Sequence, residues 1–223
     1  MLKLWFSGPT SVCAELVNDK PYYAPEPFTI YLDDAEVRVC DTNVFSLFGL
    51  KPDTEYTLRI KGKHIADAVY FRTAAETCAL NVHDFGAVGD GVADDTHAIQ
   101  TAIDCMPQGA RLYFPAGQYF SRPLSLKSRI TLEFAEGATL LGCPDRSRYP
   151  VIPGTLPDMD GGAEVHFGGF EGDARAMYQS LITAQYAEDI TIIGPGTVDG
   201  NAQNSDFWTK FEEFPTARPR LMF

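Results

Sequence analysis

The chain has 223 residues, and its 18 Lys and Arg against 30 Asp and Glu give a formal net charge of −12. This acidic balance argues against nucleic acids and anionic membrane surfaces as partners. Hydrophobic residues make up 45% of the chain and charged residues 22%, which is typical of a globular protein with length for one or two domains.

The beginning of the chain carries no recognisable targeting segment. The stretch "MLKLWFSGPTSVCAELV" has neither a sustained apolar core nor a small-residue cleavage site. No apolar run approaches the roughly 20 residues of a membrane span. We therefore predict no signal peptide and no membrane segment. The protein would be cytoplasmic if Met1 is the native start, and periplasmic or secreted otherwise.

The five cysteines are far apart and form no C-x-x-C motif, and the four histidines are scattered without the H-E-x-x-H spacing. A zinc site or a disulfide framework needs closer and more regular spacing. We therefore predict buried thiols and no metal site.

Residues 1–75 have the pattern of short β-strands. In "EPFTIYLDDAEVRV", apolar and polar residues alternate on both sides of Asp33-Asp34, which predicts a hairpin turn there. The later run "FSLFGLKPDTEYTLRI" places Tyr56, Leu58 and Ile60 on one face of another strand. Several strands at hairpin spacing, with no helical period, predict a small β-sandwich.

The run Leu50-x-Pro52-x-Thr54-x-Tyr56 resembles the tyrosine corner of fibronectin type III domains. We therefore interpret residues 1–75 as a fibronectin type III-like β-sandwich. The following "RTAAETCAL" lacks strand alternation and a strong helix cap, so residues 76–80 are interpreted as a linker. A second domain is predicted over residues 81–223.

The glycine-rich stretch "GAVGDGVADDTHAIQ" suggests three kinds of binding loop, and its spacing fits none of them. Gly86, Gly89 and Gly91 run G-x-x-G-x-G instead of the dinucleotide fingerprint G-x-G-x-x-G, and the aspartates would repel a pyrophosphate. The lysine of a P-loop and the carboxylate spacing of an EF-hand are also missing. We interpret the glycines as turn residues and an aspartate as the start of a helix.

A helix is predicted over residues 95–106, because the apolar residues that follow the loop have the i, i+3, i+4, i+7 spacing of one helix face. Asp94 or Asp95 stands at the N-cap position, where its carboxylate would accept the first free amides of the helix. Pro107 and Gly109 end the helix. The apolar residues are Ile99, Ala102, Ile103 and Met106.

Short strands follow the helix without room for further helices: "RLYFP", "GQYFSR", "LSLKS" and "RITLEFAEGATLLG". The sequence at 130–142, "ITLEFAEGATLLG", is echoed by "ITIIGPGTVDG" at 190–200. Short strands that repeat without hairpin turns predict a parallel β-helix, in which each coil stacks on the one before. The helix at 95–106 would cap the open edge of this solenoid.

The stretch 111–148 carries a local net charge of +3 within the acidic chain. One interpretation is a basic patch for a polyanionic substrate. The other, which the scattered spacing favours, is an ordinary solvated surface. The basic residues are Arg111, Arg122, Lys127, Arg129, Arg146 and Arg148.

Four segments, "NVHDFGAVGDGVADDTHAIQTAID", "FPAGQYFSRPLSLKSRITLEFAEGATLLG", "ITIIGPGTVDGNA" and "RPRLMF", resemble glycoside hydrolase family 28, the polygalacturonases. The resemblance extends in register from residue 81 to residue 223. It implies a right-handed parallel β-helix and hydrolysis of α-1,4-galacturonan with inversion, without a cofactor. The preceding sandwich makes the chain most similar to the bacterial exo-acting poly-α-galacturonosidases of this family.

In that family the catalytic groups come from N-T-D and D-D motifs, assisted by H-G and R-I-K, which follow the R-P-R-L strand. Three similar sequences within the chain have structural explanations. Asp94-Asp95 is explained as a helix cap, Asp33-Asp34 as a hairpin turn, and Arg59-Ile60-Lys61 as part of a sandwich strand. We therefore assign no catalytic, cofactor-binding or metal-binding residue within the chain.

The segment 150–178 separates the two echoing coils. It is too long and too rich in glycine for a tight turn, and too polar for a hydrophobic core. It is interpreted either as a mobile surface loop or as a wall that closes one end of a substrate groove and makes the enzyme exo-acting.

The leading hypothesis is the N-terminal portion of an exo-polygalacturonase-like hydrolase with polygalacturonate as its substrate. By itself, this chain is expected to be inactive and to self-associate through the open end of the β-helix. The alternative is a non-catalytic β-helix protein that binds pectic glycan or has a structural role. A pectate lyase is a third possibility, which calcium dependence and unsaturated products would indicate.

Overall fold

The structure is a computed structural model that describes residues 1–156, 165–166, 169–170, 173–207 and 218–223. The chain divides into two compact units, Met1–Thr77 and Cys78–Phe223. Strands predominate in both units, as predicted. Among the described residues, every helix is too short or too polar to cross a membrane.

The first unit consists of seven strands in two antiparallel sheets with the orders β1-β2-β5 and β4-β3-β6-β7. Buried side chains from both sheets form one hydrophobic core, so the unit is a two-layer β-sandwich. The strands are β1 (Leu2–Ser7), β2 (Ser11–Leu16), β3 (Tyr23–Leu32), β4 (Ala35–Thr42), β5 (Val44–Phe48), β6 (Glu55–Lys61) and β7 (Ala66–Arg72).

The predicted hairpin turn joins β3 to β4. Asp33 and Asp34 both have positive φ angles, 49° and 70°, as the two central residues of the tight hairpin turn require. The side chain of Asp33 also accepts a hydrogen bond from the backbone N–H of Thr57 at 2.8 Å. On the strand that contains Thr57, Leu58 and Ile60 are buried, which confirms the predicted core face of β6.

Tyr56 has the contacts expected of a tyrosine corner. Its hydroxyl oxygen accepts a hydrogen bond from the backbone N–H of Lys51 at 2.9 Å, a few residues upstream in the chain. Its ring stacks on Phe71 with a centroid distance of 5.6 Å. The side chain therefore ties the β5–β6 connection to the core of the sandwich.

The second unit begins with two coils of the β-helix and the predicted helix. Its first elements are β8 (Ala79–Asn81), a 3-10 turn (Val82–Phe85), β9 (Asp90–Asp94), α1 (Thr96–Cys105), β10 (Arg111–Phe114), β11 (Gly117–Ser121) and β12 (Leu124–Leu126). The 3-10 turn starts after Asn81, whose side chain accepts a hydrogen bond from the backbone N–H of His83. Two residues of the predicted linker, Ala79 and Leu80, form part of β8.

The later elements of the unit complete two more coils and a lateral excursion. They are β13 (Ile130–Phe134), β14 (Ala138–Gly142), a 3-10 turn (Arg146–Arg148), β15 (Val151–Ile152), β16 (Thr155–Leu156), β17 (Val165–His166), β18 (Gly169–Phe170), β19 (Asp173–Ala174), β20 (Met177–Tyr178), β21 (Ile182–Ala184), β22 (Ile190–Ile193), β23 (Thr197–Asp199) and a 3-10 turn (Ala202–Asn204).

Strands of successive coils pair in parallel, which confirms the predicted stacking. Sheet 1 has the order β8-β10-β13-β22, and sheet 2 has the order β9-β11-β14-β23. Sheet 3 pairs β12 with β21, and a parallel bridge from Ile182 to Met222 extends it. The echoing segments at 130–142 and 190–200 are therefore neighbouring rungs of sheets 1 and 2.

Equivalent inward positions of successive coils stack into ladders that fill the interior. One aliphatic ladder runs through sheet 1 by direct pairing of Leu80, Leu112, Leu132 and Ile192. In the same sheet the rings of Phe114 and Phe134 stack with centroids 4.3 Å apart. Burying one such side chain contributes roughly 1.5–3 kcal/mol. Each coil therefore depends on its neighbours for its core.

Helix α1 takes the place of a sheet 3 strand in the first coil. Its apolar face is buried as predicted. The first coil supplies β8 to sheet 1 and β9 to sheet 2, and the chain then forms α1 where later coils form β12 and β21. The helix packs against β12, so it covers the otherwise open end of sheet 3.

Candidate functional site

The glycine loop before α1 is held by hydrogen bonds to the Asp95 carboxylate. The Asp95 side chain is buried, and the residue is 2% exposed. Its two carboxylate oxygens accept hydrogen bonds from the backbone N–H groups of Val88 at 2.6 Å and Gly89 at 3.0 Å. The prediction that Asp95 caps the helix amides with its side chain is wrong, because this carboxylate points back into the loop. The turn role predicted for the glycines is confirmed by their positive φ angles.

Asp94, the other half of the pair, supports the start of the helix. One of its oxygens accepts a hydrogen bond from the Thr96 N–H at 3.2 Å and another from the Thr96 hydroxyl. The other oxygen lies 3.0 Å from Arg122 Nε and 3.8 Å from Arg148. Partial burial opposes ionisation, but the Thr96 hydrogen bonds and the two guanidinium groups hold the pKa of Asp94 below its usual range. The two adjacent carboxylates thus have separate structural partners.

The two motif-like sequences of the first unit also have structural roles, as predicted. Asp34 forms an ion pair with Arg59, which lies on the exposed face of β6. Ile60 is buried in the sandwich core. The sequence Arg59-Ile60-Lys61 is therefore an alternating surface–core–surface strand segment.

The basic residues of 111–148 do not form an unpartnered patch. Each of the six contacts an acidic side chain or a backbone carbonyl within the second unit, so the structure does not support the basic patch. The interpretation as a solvated surface is wrong for Arg111 and Arg146, whose side chains are only 13% and 9% exposed. The pairs are Arg111–Glu133 at 3.2 Å, Arg122–Asp94 at 3.0 Å, Arg129–Glu188 at 2.6 Å, Arg146–Asp206 at 2.9 Å, Arg148–Asp94 at 3.8 Å and Lys127 with the Asp104 carbonyl at 2.7 Å.

No metal centre is found in the part of the chain that the structure describes: no three His, Cys, Asp or Glu side chains are grouped to hold an ion. The cysteines in the described part are free. The prediction of buried thiols is correct for Cys40 and Cys143, but Cys105 is exposed, because it lies in the last turn of α1 away from the apolar face.

The corner between sheets 2 and 3 changes greatly from coil to coil. In the second coil it consists of Arg122 and Pro123, between β11 and β12. In the third coil the same corner extends from residue 143 to residue 181, and in the fourth from residue 200 to the bridge at Met222. Two long segments, the first and second excursions, therefore leave the solenoid at this corner in adjacent coils. Within them the structure describes residues 143–156, 165–166, 169–170, 173–181, 200–207 and 218–221.

The first excursion, residues 143–181, contains the whole of the predicted insertion 150–178. Its described part is paired: β15 with β20, β16 with β17 and β18 with β19, all antiparallel. This pairing differs from an unstructured loop. Residues 157–164, 167–168 and 171–172 lie outside the described residues, so the predicted wall is described only at its base and in these short pairs.

A buried cluster joins the bases of the two excursions, and the sequence interpretation did not anticipate it. Tyr149 and Phe207 meet edge to face at 6.0 Å, and the Tyr149 hydroxyl donates to the Cys143 carbonyl at 2.9 Å. Burial raises the pKa of Tyr149. Arg146 pairs with Asp206 beside these rings. The sequence "CPDRSRYP" around Arg146 contains no pattern that identifies a partner 60 positions away.

A cleft of about 220 Å³ opens beside this cluster. Its lining includes Tyr149, Phe207 and Arg220, so aromatic edges and a guanidinium group border the same space at the sheet 3 flank. The cleft also touches Leu181 and Leu221, so among the described residues it lies at the ends of the two excursions, next to sheet 3.

The family model described as rhamnogalacturonase A/epimerase, pectate lyase-like, matches residues 79–137. An exo-poly-alpha-D-galacturonosidase of Dickeya chrysanthemi is 38% identical over 171 residues, which cover 69% of this chain and 26% of that protein. The plasmin and fibronectin-binding protein A of Streptococcus pneumoniae is 37% identical over 145 residues, 63% of this chain and 18% of that protein.

Among solved structures, the family 28 exopolygalacturonase of Yersinia enterocolitica superposes with a TM-score of 0.59 at 25% identity. The match covers 90% of this chain and 41% of that one. The chain therefore spans less than half of the length of the relatives it matches. Over part of its length, the chain is therefore similar to glycoside hydrolase family 28 polygalacturonases and to a pectate lyase-like family model.

Proposed function

We propose that the chain is the N-terminal portion of an exo-acting polygalacturonase-like glycosidase that hydrolyses α-1,4-linked galacturonan with inversion. The observation that carries the proposal is the 38% identity to an exo-poly-alpha-D-galacturonosidase over 69% of the chain. The parallel coils supply the rigid frame that such an enzyme needs, because an inverting glycosidase must hold two carboxyl groups roughly 6.5–9.5 Å apart.

Exo action is supported by the expanded corner in the third and fourth coils. The base of the first excursion contacts sheet 3 through the Gln179–Ser125 hydrogen bond, and the second excursion ends at the Ile182–Met222 bridge. In the second coil only Arg122 and Pro123 form this corner. A groove along sheet 3 would thus be bordered by protein on one part of its length. An obstructed groove admits a chain end and releases short products.

The first test assays the complete gene product on polygalacturonate. We expect a steady release of mono- or digalacturonate, with the new reducing end in the inverted anomeric configuration by proton NMR. Random internal cleavage would remove the exo assignment, and unsaturated products that need calcium would replace hydrolysis with a lyase reaction.

We expect the 223-residue chain by itself to be inactive in a reducing-sugar assay. The aspartate pairs that the sequence offered as catalytic groups have structural partners, either the glycine loop, the helix start or Arg59. Turnover by this chain at about 1 per second or faster would contradict this assignment.

The second candidate is a non-catalytic β-helix protein that binds an acidic glycan. It is favoured by the 37% identity to a protein named for binding plasmin and fibronectin, a name that describes no hydrolase. Retention of the complete gene product on immobilised polygalacturonate, without release of reducing sugar over hours, would select this candidate.

Two further assignments stand with the proposal. The fibronectin type III-like character of the first unit is supported by its two antiparallel sheets and by the Tyr56–Lys51 hydrogen bond. Self-association of the chain is supported by the partial exposure of Leu221, Met222 and Phe223 on the last rung of sheet 3. Sedimentation over a range of concentrations would detect it.

A further inference from the structure

Arg146 connects two parts of the chain that leave the solenoid in different coils. Its side chain is only 9% exposed. Nε lies 2.9 Å from a carboxylate oxygen of Asp206, and a terminal nitrogen donates to the backbone carbonyl of the same residue at 2.6 Å. One guanidinium group thus holds both the side chain and the main chain of a residue 60 positions later.

The surroundings restrict this contact to one geometry. The guanidinium carbon lies 5.9 Å from the centre of the Phe207 ring, and Phe207 packs edge to face against Tyr149. A buried guanidinium is costly unless its donors are bonded, so the two bonds to Asp206 stabilise Arg146 in this buried position. The bases of the two excursions are therefore one packed body.

This packed body adjoins the outer face of sheet 3. Gln179, on the return arm of the first excursion, donates from its side-chain amide to the hydroxyl of Ser125 at 3.2 Å. Ser125 is the exposed central residue of β12, between the buried Leu124 and Leu126. The return arm therefore lies over the sheet face that the excursions border.

We propose that Arg146 is a positioning residue that determines product length. By fixing the base of the first excursion to the segment 201–207, it sets where the groove along sheet 3 is obstructed. This inference rests on the proposed function. Arg146 would act on the selection of chain ends and not on the chemical step, because it holds the excursions in place.

The main test compares three variants of the complete gene product. Arg146→Met keeps the aliphatic stem and removes the charge, Arg146→Lys keeps the charge without the planar fork, and Arg175→Met is the matched control. Arg175 pairs with Asp173 inside the same excursion and is 43% exposed. The readout is the distribution of product lengths from polygalacturonate, which does not depend on the fraction of enzyme that is folded.

We expect Arg146→Met to raise the share of products longer than digalacturonate several-fold. Arg146→Lys should restore the short products in part, and Arg175→Met should match the wild type. Asp206→Asn, a milder change that keeps the bond to the backbone carbonyl, should shift the products in the same direction by less. An unchanged product pattern in active Arg146→Met and Asp206→Asn enzymes overturns the inference.

A second measurement uses the 223-residue chain and needs no activity. Arg146→Met should increase the rate of limited proteolysis within residues 143–181 several-fold and leave cleavage of the first unit unchanged. Equal rates would overturn the coupling of the excursions. If the wild-type gene product does not act on polygalacturonate, the proposed function fails and the product-length role with it, while the proteolysis still decides whether Arg146 joins the two excursions.

Discussion

The side-chain amide of Gln100 pairs with the backbone of Ser125 as a neighbouring strand would. Nε2 donates to the Ser125 carbonyl at 3.0 Å, and Oε1 accepts from the Ser125 N–H at 2.9 Å. Ser125 lies at the centre of β12, the first strand of sheet 3. Helix α1 therefore covers the end of that sheet and also satisfies its free backbone edge, which would otherwise be open to pairing with another chain.

The first prediction concerns this edge. Gln100→Ala should lower the stability of the second unit by about 1–3 kcal/mol, because it leaves a donor and an acceptor of β12 without their partner. Calorimetry would measure the loss, and hydrogen exchange should show faster exchange at the Ser125 amide. His97→Ala, an exposed position on the same helix, is the control. Equal effects of the two variants would contradict the pairing role.

The second prediction concerns Asp95. Asp95→Ala should cost about 1.5–3 kcal/mol for each of the two charged hydrogen bonds lost, because the Val88 and Gly89 amides lose their carboxylate acceptor. The exchange of these two amides should rise more than that of the α1 amides, which distinguishes a loop brace from a helix cap. Calorimetric titration with nucleotides should show no binding. Tight nucleotide binding that Asp95→Ala abolishes would overturn the structural assignment.

Local periodicity and repetition were sufficient to predict most of the solenoid. The spacing of Ile99 and Ile103 gave the buried face of α1, because one helix face is determined by nearby residues alone. The echo between 130–142 and 190–200 predicted parallel neighbours, because equivalent positions of successive coils share one core. In both cases a short sequence pattern is enough, because the contacts that it predicts recur at regular intervals along the chain.

Features that depend on the order of distant strands could not be predicted. Val39 continues the alternation of a strand but is 63% exposed, because it pairs with Thr29 on the outer face of the sheet, whereas its neighbour Cys40 pairs with the buried Phe28 and is itself buried. The direction of the Asp95 carboxylate depends on how the preceding loop folds back. The Arg146–Asp206 pair depends on two coils leaving the solenoid at the same corner.

The third prediction compares two glycines with positive φ angles. A Cβ at Gly194, φ 115°, would lie 2.0 Å from the backbone carbonyl oxygen of Phe134, whereas a Cβ at Gly86, φ 94°, would meet nothing within 4 Å. Gly86→Ala should cost about 1–2 kcal/mol from backbone strain alone. Gly194→Ala should cost clearly more, because neighbouring coils would have to separate. Equal melting temperatures of the two variants would contradict the close approach of the coils.

The last prediction concerns the acid stability of the second unit. The pKa of Asp94 is lowered in the folded protein, since the hydrogen bonds from Thr96 and the charges of Arg122 and Arg148 outweigh the effect of burial. A carboxyl group with a lowered folded-state pKa contributes stability that is fully present above its unfolded-state pKa, about 3.9. This contribution is lost as the pH falls below that value through the folded-state pKa, because the unfolded chain then binds the proton more readily.

Asp94→Asn should therefore lower the melting temperature of the second unit at pH 6 to 7. The difference from the wild type should shrink steadily as the pH falls below about 4. Thermal unfolding of both proteins at intervals between pH 7 and pH 3 measures this difference directly. A constant difference over the whole range would mean that the asparagine acts through lost packing or geometry. In that case the ionised carboxylate would not be the group that ties the start of α1 to Arg122 and Arg148.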